Sequence, residues 1–253
     1  MGELWTLYYG ALASWFIAGI VWWVRKFVLA LGIELAGIFL WLALLLSYGL
    51  KARYWPLSTP GEFFLVTLGF AALIHLMAEI MVRGKGAGWM TPFAMAMLAL
   101  WGKETLRTVP FPPPPAFNSI WFQFHTLTAS AAYGAFLVAG ATALGAILRP
   151  DREPYGLTEE MAVGYFLLTL SMLIGALWGQ LTWGNYWAWN LKELWTLALW
   201  LMATLYFHVR PLHWWKGRKA WILVTFMAGV MLFSLLGTAW LARKLTLETL
   251  YIF

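Results

Sequence analysis

The sequence contains no cysteine in its 253 residues, and only 11% of those residues are charged. The absence of cysteine excludes disulfides, thiolate zinc sites, iron–sulfur clusters and any thiol chemistry carried by the chain itself. The sequence also lacks a run of basic residues of the kind that follows a nucleic-acid backbone. We therefore expect no nucleic-acid partner, although the formal net charge is +6.

Apolar residues are what the chain has in excess. They make up 62% of it, whereas a soluble domain averages about 45–50%. Runs of about 20 apolar residues, the length that crosses a bilayer, recur along the whole chain. They predict an all-α fold, a polytopic transmembrane helical bundle of about eight helices. We expect it to form a single membrane domain over residues 1–253, in contact with the lipid bilayer.

The ends of the predicted spans follow from charged residues, prolines and capping patterns. The approximate ranges are 4–24, 27–50, 59–82, 89–101, 119–148, 160–178, 190–208 and 220–241. The fourth is short, as in a tilted span or a shallow re-entrant segment. The third opens on Thr59-Pro60-Gly61-Glu62, a capping box with proline at the first helical position.

The distribution of Lys and Arg predicts the orientation of the bundle. If the N-terminus lies outside, ten of the 17 Lys and Arg residues fall on the cytoplasmic side and seven on the outer side. The positive-inside rule favours this arrangement. Both termini then lie outside, and the loop between the sixth and seventh spans faces outward.

That loop region holds the densest group of aromatic residues. Residues 178–193 contain four tryptophans, one tyrosine and two glycines. Tryptophan and tyrosine are common at membrane interfaces, but an ordinary aromatic belt spreads over all helix ends. Aromatic faces stack on a large planar ligand, and glycine lets the backbone approach it closely. The candidate contact residues are Trp178, Trp183, Tyr186, Trp187 and Trp189.

The same stretch carries a resemblance to a known family. Residues 183–193 read WGNYWAWNLKE, which resembles the tryptophan-rich WWD signature, roughly WGxYWxWDPKE, of the cytochrome c assembly family. The span count is closest to its CcsA-like and HemX-like members. Weaker likeness extends over about residues 55–240. Two positions depart, since Asn190 stands where the family has Asp and Leu191 where it has Pro.

The resemblance implies a haem-handling protein of the bacterial cytoplasmic (inner) membrane. Its aromatic surface would hold haem b non-covalently and present it at the outer face for cytochrome c biogenesis. The implied partners are haem, an apocytochrome c or a haem chaperone, and other cytochrome c assembly proteins. A partner's CxxCH thiols would react with the haem, so the chain needs no catalytic residue. The sequence leaves open whether the protein is an enzyme, which it would be if it formed part of a cytochrome c haem lyase.

The sequence has four histidines, and a histidine ring nitrogen is a natural axial ligand for haem iron. His213, beside Trp214 and Trp215, is interpreted as an anchor at the membrane interface. The resemblance implies that His125, near the outer end of the fifth span, ligates haem iron. The family brackets its external haem between two histidines, but residues 238–242, where the second is expected, read TAWLA. The haem would then be five-coordinate, or take a weak ligand or one from a partner.

Two further histidines are functional candidates, and each also has a purely structural explanation. His75 lies inside a predicted span, where an ionisable residue suggests a function. A buried hydrogen-bonded pair with Glu79, one turn later, fits equally well. His208 lies near a helix C-terminus, where a cation is favoured by the helix dipole, or it makes a second haem contact.

Asn190 and Lys192 complete the candidate haem-binding set. Asn190 is placed as the N-cap of the seventh helix with Glu193 at its third position, which resembles a capping box. Asp would cap equally well, so the replacement removes a negative charge and keeps the helix start. Lys192 either pairs with a haem propionate or extends towards the membrane surface.

Two other functions remain open at this point. One is a HemX-like membrane protein that affects haem biosynthesis or trafficking, which the missing histidine and Asn190 favour. The other is a haem transporter, or a structural subunit with a degenerate haem surface. The haem content of the purified protein and the genetic loss of c-type cytochromes distinguish these functions.

Overall fold

The structure, a computed structural model, describes residues 2–103 and 113–237. The described residues contain eight α-helices and no strand, which confirms the predicted all-α transmembrane bundle. The helices are α1 (Gly2–Trp23), α2 (Phe27–Ala52), α3 (Pro60–Val82), α4 (Met90–Gly102), α5 (Ile120–Leu148), α6 (Leu157–Trp183), α7 (Leu191–Val209) and α8 (Arg218–Leu232). Short 3₁₀ turns cover Pro115–Asn118 and His213–Trp215, and a π turn, Phe233–Gly237, continues α8.

Six of these helices are long and apolar enough to cross a membrane. They are α1, α2, α3, α5, α6 and α8 with its π turn. The 13 residues of α4 cover only about 20 Å at 1.5 Å per residue, less than the ~30 Å of a hydrocarbon core. The 19-residue α7 also falls outside the six. The chain is therefore an integral membrane protein.

Contacts between helix ends define two ends of the bundle. At the first, which we call the loop end, Trp178 near the end of α6 donates to the carbonyl of Ala116, just before α5. At the opposite end, Arg25 after α1 pairs with Asp151 after α5 at 2.7 Å. The start of α1 thus shares an end with the aromatic loop, as predicted. The side of the membrane that each end faces stays a prediction.

The central helix of the bundle is α5, which contacts α3, α4, α6 and α8. Of its most apolar 18-residue window, 83% is buried. Small residues permit this, because a Cβ atom at Gly140 would overlap Ala228 of α8 and one at Gly145 would overlap the carbonyl of Ala87. Such close backbone approach at small residues is how membrane helices associate.

The predicted capping box at the start of α3 is present. Thr59 Oγ1 accepts from the Glu62 amide at 3.2 Å, and Glu62 Oε2 accepts from the Thr59 amide at 3.1 Å. Glu62 is fully buried, and its Oε1 accepts from the hydroxyls of Tyr48 and Tyr54. The box therefore also binds α2 to α3 through a satisfied buried carboxylate.

The sixth span is longer than the predicted 160–178. Helix α6 begins after Gly156, continues through Trp183, and ends at Gly184, whose φ of +77° suits a left-handed helix cap. The aromatic loop proper is therefore only residues 184–190. The prediction that the sixth span ends at Trp178, which leaves Trp183 in the loop, is wrong, because Trp183 is the last residue of α6. The predicted end of the last span, at residue 241, lies outside the described residues.

We expect Gly140→Ala to destabilise the bundle, because the new methyl group would meet the Ala228 methyl group and force α5 and α8 apart. Overpacking of this kind costs about 1–3 kcal/mol. The matched control is Gly229→Ala on α8, where an added Cβ meets nothing within 4 Å. Thermal unfolding in detergent should show a lower midpoint for Gly140→Ala alone. Equal midpoints would contradict this account of the packing.

Candidate functional site

A cavity of about 420 Å³ lies at the loop end, between α5, α6 and α7. We call it the tryptophan pocket. Its lining residues are Phe117, His125, Met172, Gly175, Ala176, Trp178, Gly179, Trp183, Asn185, Tyr186, Trp187, Ala188, Asn190, Lys192, Glu193 and Thr196. Seven of the candidate site residues named from the sequence therefore meet in one cavity: His125, Trp178, Trp183, Tyr186, Trp187, Asn190 and Lys192.

His125 is held in the pocket by Ser171 of α6. Its Nδ1 donates to the Ser171 carbonyl at 2.9 Å, and the Ser171 hydroxyl donates to the His125 carbonyl at 3.0 Å. A neutral imidazole with hydrogen on Nδ1 keeps its lone pair on Nε2. Among the described residues, Nε2 makes no hydrogen bond. The ring is thus oriented by one nitrogen and available for ligation through the other.

Gly175 makes the room that this imidazole needs. A Cβ atom at this position would lie 2.6 Å from Nδ1 of His125 and 2.7 Å from its Cε1. Ser171 and Gly175 lie one helical turn apart, so one strip of α6 both binds the ring and leaves space for it.

Trp178 forms a fixed wall of the pocket and is only 5% exposed. Its ring lies nearly parallel to that of His125, with centroids 6.1 Å apart and planes at 15°. Phe122 packs on it at 4.8 Å, and Trp183 meets it edge-on at 4.5 Å. These contacts, with the indole bond to the Ala116 carbonyl, leave the ring little freedom.

The loop itself is short and strained at one residue. Trp189 has φ of +56°, a left-handed conformation that bulky residues rarely adopt and that is often found at functional sites. Its ring is 66% exposed, packs edge-on against Trp187, and does not line the pocket. Trp187 does line it, and its buried Nε1 has no partner in the described part of the chain.

The start of α7 confirms the predicted cap at Asn190. Its side-chain oxygen accepts from the Glu193 amide at 2.9 Å. Glu193 does not complete a standard box, because its Oε2 accepts from the amide of Ala188, two residues before the cap, at 2.8 Å. The carboxylate therefore folds the loop back onto α7 and is itself engaged.

Lys192 gives the pocket a positive charge. Its side chain is partly buried, and Nζ lies 5.7 Å from the centre of the Phe63 ring. Within the described ranges Lys192 forms no ion pair, and the neighbouring Glu193 is bound to the loop. The cation and the unpartnered indole N–H of Trp187 together favour an anionic group on a ligand.

The other two candidate histidines do not reach the tryptophan pocket. His208 is exposed in the last turn of α7, and its Nδ1 donates to the Thr204 carbonyl at 2.8 Å. His75 is fully buried towards the opposite end, with Glu34 at 2.6 Å and the Gly88 carbonyl at 2.9 Å. Glu79, its partner in the sequence hypothesis, lies farther away at 3.8 Å. Their roles as cofactor-binding residues stay predictions.

Comparison with known proteins decides the family. The model of the family described as Cytochrome C assembly protein matches residues 38–246, which is most of the chain. The chain belongs to this cytochrome c assembly family. The resemblance inferred from the WWD-like loop is thereby confirmed, although the loop supplies only part of the match.

Several relatives in this family carry the name cytochrome c biogenesis protein CcsA. The protein of Synechococcus elongatus is 27% identical over 268 residues, covering 80% of this chain and 82% of the relative. That of Microcystis aeruginosa is 28% identical over 250 residues, covering 72% and 75%. A third, from Synechococcus sp. (strain RCC307), is 35% identical over 101 residues, covering 36% and 32%.

The pocket of this family member contains residues that the sequence did not single out. Ser171 and Gly175 orient His125, and Met172 adds a thioether to the lining. Their spacing on one turn of α6 is visible in the sequence, but nothing in the sequence joins that turn to a histidine 46 residues earlier. Residues 238–242, where the resemblance predicts a second histidine, lie outside the described residues.

We expect Asn190→Ala to weaken the start of α7, because the Glu193 amide would lose its acceptor. Loss of an N-cap costs about 0.5–2 kcal/mol. Asn190→Asp restores the residue of the family signature and keeps the acceptor, so it should be close to neutral. Hydrogen exchange at the Glu193 amide measures the effect locally. Unchanged protection in Asn190→Ala would contradict the assigned cap.

Proposed function

We propose that the tryptophan pocket binds haem b non-covalently and presents it at the outer face of the bacterial cytoplasmic membrane. Membership of the cytochrome c assembly family supports a role in cytochrome c biogenesis. The observation that carries the haem proposal is His125, whose Nδ1 is fixed by Ser171 while Nε2 has no hydrogen-bond partner among the described residues.

The residues of the pocket fit a haem. The volume of the pocket, about 420 Å³, lies within the roughly 300–1,000 Å³ range of small-molecule sites. Trp178 and the other rings offer flat apolar faces to a porphyrin. The Nε2 atom of His125 is a strong axial donor. Lys192 and the orphaned Nε1 of Trp187 match the carboxylates that haem carries.

The chain's own residues bind and orient. Ser171 fixes the imidazole tautomer and ring angle, and its carbonyl makes Nε2 a stronger donor. Trp178 keeps the wall beside the imidazole rigid and dry. Haem supplies the vinyl groups that a partner's reduced CxxCH thiols attack, so no nucleophile or base is required of this chain. An apocytochrome c or a haem chaperone would receive the haem at the exposed side of Trp183 and Tyr186.

The coordination state follows from the histidines that the pocket contains. His125 is the one histidine in the described lining, and Met172 is the other side chain there with a soft donor. His75 and His208 lie away from the pocket, so neither completes a pair with His125. Ferric haem bound here should be high-spin or mixed-spin and should take added imidazole.

We expect His125→Gly to lose haem or to bind it only with added imidazole, because the ligand is removed and a cavity of its size is left. The control is His213→Gly, in the 3₁₀ turn outside the pocket, which should bind haem like the parent protein. The Soret band of detergent-purified protein titrated with haem measures both. A protein with no Soret band, or a low-spin bis-histidine spectrum of the parent protein, would contradict the proposal.

We expect Lys192→Met to weaken haem binding about 10- to 150-fold, since a charged hydrogen bond contributes about 1.5–3 kcal/mol. Haem dimethyl ester carries no propionate charge, so it serves as the matched ligand and should bind both proteins alike. The ratio of dissociation constants for the two ligands is the readout. If Lys192→Met weakened both ligands equally, Lys192 would act through packing and not through a carboxylate.

A HemX-like role in haem biosynthesis or trafficking is the second candidate. Asn190 in place of the family's Asp favours it, since the pocket edge lacks that negative charge. The CcsA relatives that share most of their length with this chain favour cytochrome c biogenesis. Deletion of the gene distinguishes the two, because loss of c-type cytochromes with normal total haem is expected only for the first.

A further inference from the structure

A second group of charged side chains is buried towards the opposite end of the bundle, away from the tryptophan pocket. We call it the carboxylate cluster, and its members are Glu34, His75, Glu79, Arg152 and Glu160. Each is at most 4% exposed. They come from α2, α3, α6 and the α5–α6 loop, so the cluster joins four parts of the chain.

Within the cluster, Glu34 and His75 form a neutral pair. The Gly88 carbonyl, 2.9 Å from Nε2 of His75, can only accept, so Nε2 carries a hydrogen. The 2.6 Å contact between Nδ1 and Glu34 Oε1 then shares one proton. Glu34 Oε2 accepts from the indole of Trp22 at 2.8 Å. Whichever atom holds the shared proton, the pair has no net charge.

Arg152 supplies one positive charge, because a guanidinium stays protonated in proteins. Its guanidinium donates to the backbone carbonyls of Trp22 at 3.2 Å, Trp23 at 3.0 Å and Gly86 at 3.5 Å. Within residues 2–103 and 113–237 it forms no ion pair, and its buried Nε has no partner. Its positive charge therefore lies within the cluster and is not neutralised by an ion pair with any one carboxylate.

Glu79 and Glu160 are left with unsatisfied oxygens. The Oε2 atom of each is buried and has no hydrogen-bond partner in the described chain. Glu79 Oε1 lies 3.8 Å from Nε2 of His75 and interacts electrostatically with Arg152. Glu160 Oε1 has only the Thr142 hydroxyl, at 3.3 Å.

The charges of the cluster do not balance if both of these carboxylates are ionised. The Glu34–His75 pair is neutral and Arg152 contributes +1, so two further carboxylates would leave a net charge of −1. A buried ion without a partner is neutralised by taking up a proton. Glu79 interacts with His75, with Arg152 and with the carboxylate of Glu34. Glu160 also interacts with His75, but it faces two acidic groups, Glu79 and, on its own helix, the exposed Glu159. The extra proton therefore belongs on Glu160.

We propose that the carboxylate cluster is a proton-binding site, in which Glu160 is protonated in the folded protein and Glu79 stays ionised beside His75 and Arg152. No group of three or more His, Cys, Asp or Glu side chains in the described residues is arranged to hold a metal ion. Proton release would place two ionised carboxylates in one buried site. The cluster is next to the α5–α6 loop, whose Asp151 is exposed to the aqueous phase.

Infrared spectroscopy of the full-length protein in detergent at neutral pH tests the assignment directly. A protonated carboxyl gives a C=O band that shifts in deuterium oxide. We expect this band with equal intensity in the parent protein and in the control Glu159→Gln, and with lower intensity in Glu160→Gln, where any remaining band comes from Glu34 holding the proton it shares with His75. A band of undiminished intensity in Glu160→Gln, or no band in the parent protein, would overturn the proposal.

The pH dependence of stability gives a second, independent readout. Glu160 is neutral when buried and ionises readily when the chain unfolds, so rising pH stabilises the unfolded state more. The melting temperature of the parent protein and of Glu159→Gln should fall from mildly acidic to mildly alkaline buffer. Glu160→Gln, which keeps the neutral shape, should show a smaller fall. Equal slopes in all three proteins would count against a proton on Glu160.

A haem titration distinguishes the proposal for this cluster from the proposal for the tryptophan pocket. Glu160→Gln should titrate with haem like the parent protein, because no member of the cluster lines the pocket. The infrared and melting experiments need no haem, so they test the cluster even if the pocket binds none.

Discussion

The fold depends on the close approach of neighbouring helices to α5. Lipid chains are as apolar as leucine, so burial of apolar surface does not drive membrane helices together, and close van der Waals contact has to do so. Gly134, whose added Cβ would lie 2.9 Å from the Ala71 amide nitrogen, shows how little space separates α5 from α3. At this separation, side chains on different helices reach each other at hydrogen-bond distance. His125 near one end of α5 and Thr142 near the other both bond to α6 in this way.

The tryptophan pocket results from that packing and from the two residues that end α6 and begin α7. The paired hydrogen bonds between His125 and Ser171 set the rotation of α5 against α6. Glycine at 184 ends α6, and the Asn190 cap starts α7 only a few residues later. So short a connection restricts the backbone conformation of the loop, and Trp189 adopts its left-handed conformation between the two helices. The aromatic rings are consequently held by the ends of two rigid helices.

The sequence predicted what depends on local patterns. Hydropathy located the spans, and short-range capping rules located the starts of α3 at Thr59 and α7 at Asn190. It did not predict what depends on pairing between helices. His75 and Glu79 share a helix face, so they were an obvious pair, yet the closer partner is Glu34, 41 residues earlier. The extension of α6 to Trp183 was missed because aromatic and glycine residues were read as a loop.

The two polar sites differ in the charge of the groups that have no partner in each. Every polar group inside a membrane protein has to be satisfied by the protein, by water or by a ligand. In the tryptophan pocket the remaining groups are an indole N–H, from Trp187, and a cation, Lys192, beside the Nε2 of His125. These groups suit the proposed ligand, which carries carboxylates and a metal that accepts a lone pair. In the carboxylate cluster the remaining groups are mainly carboxylate oxygens, on Glu79 and Glu160. Oxygens in excess of nearby cations select a proton. The two proposed binding sites therefore have opposite chemistry, because the helices satisfy different polar groups at the two ends of the bundle.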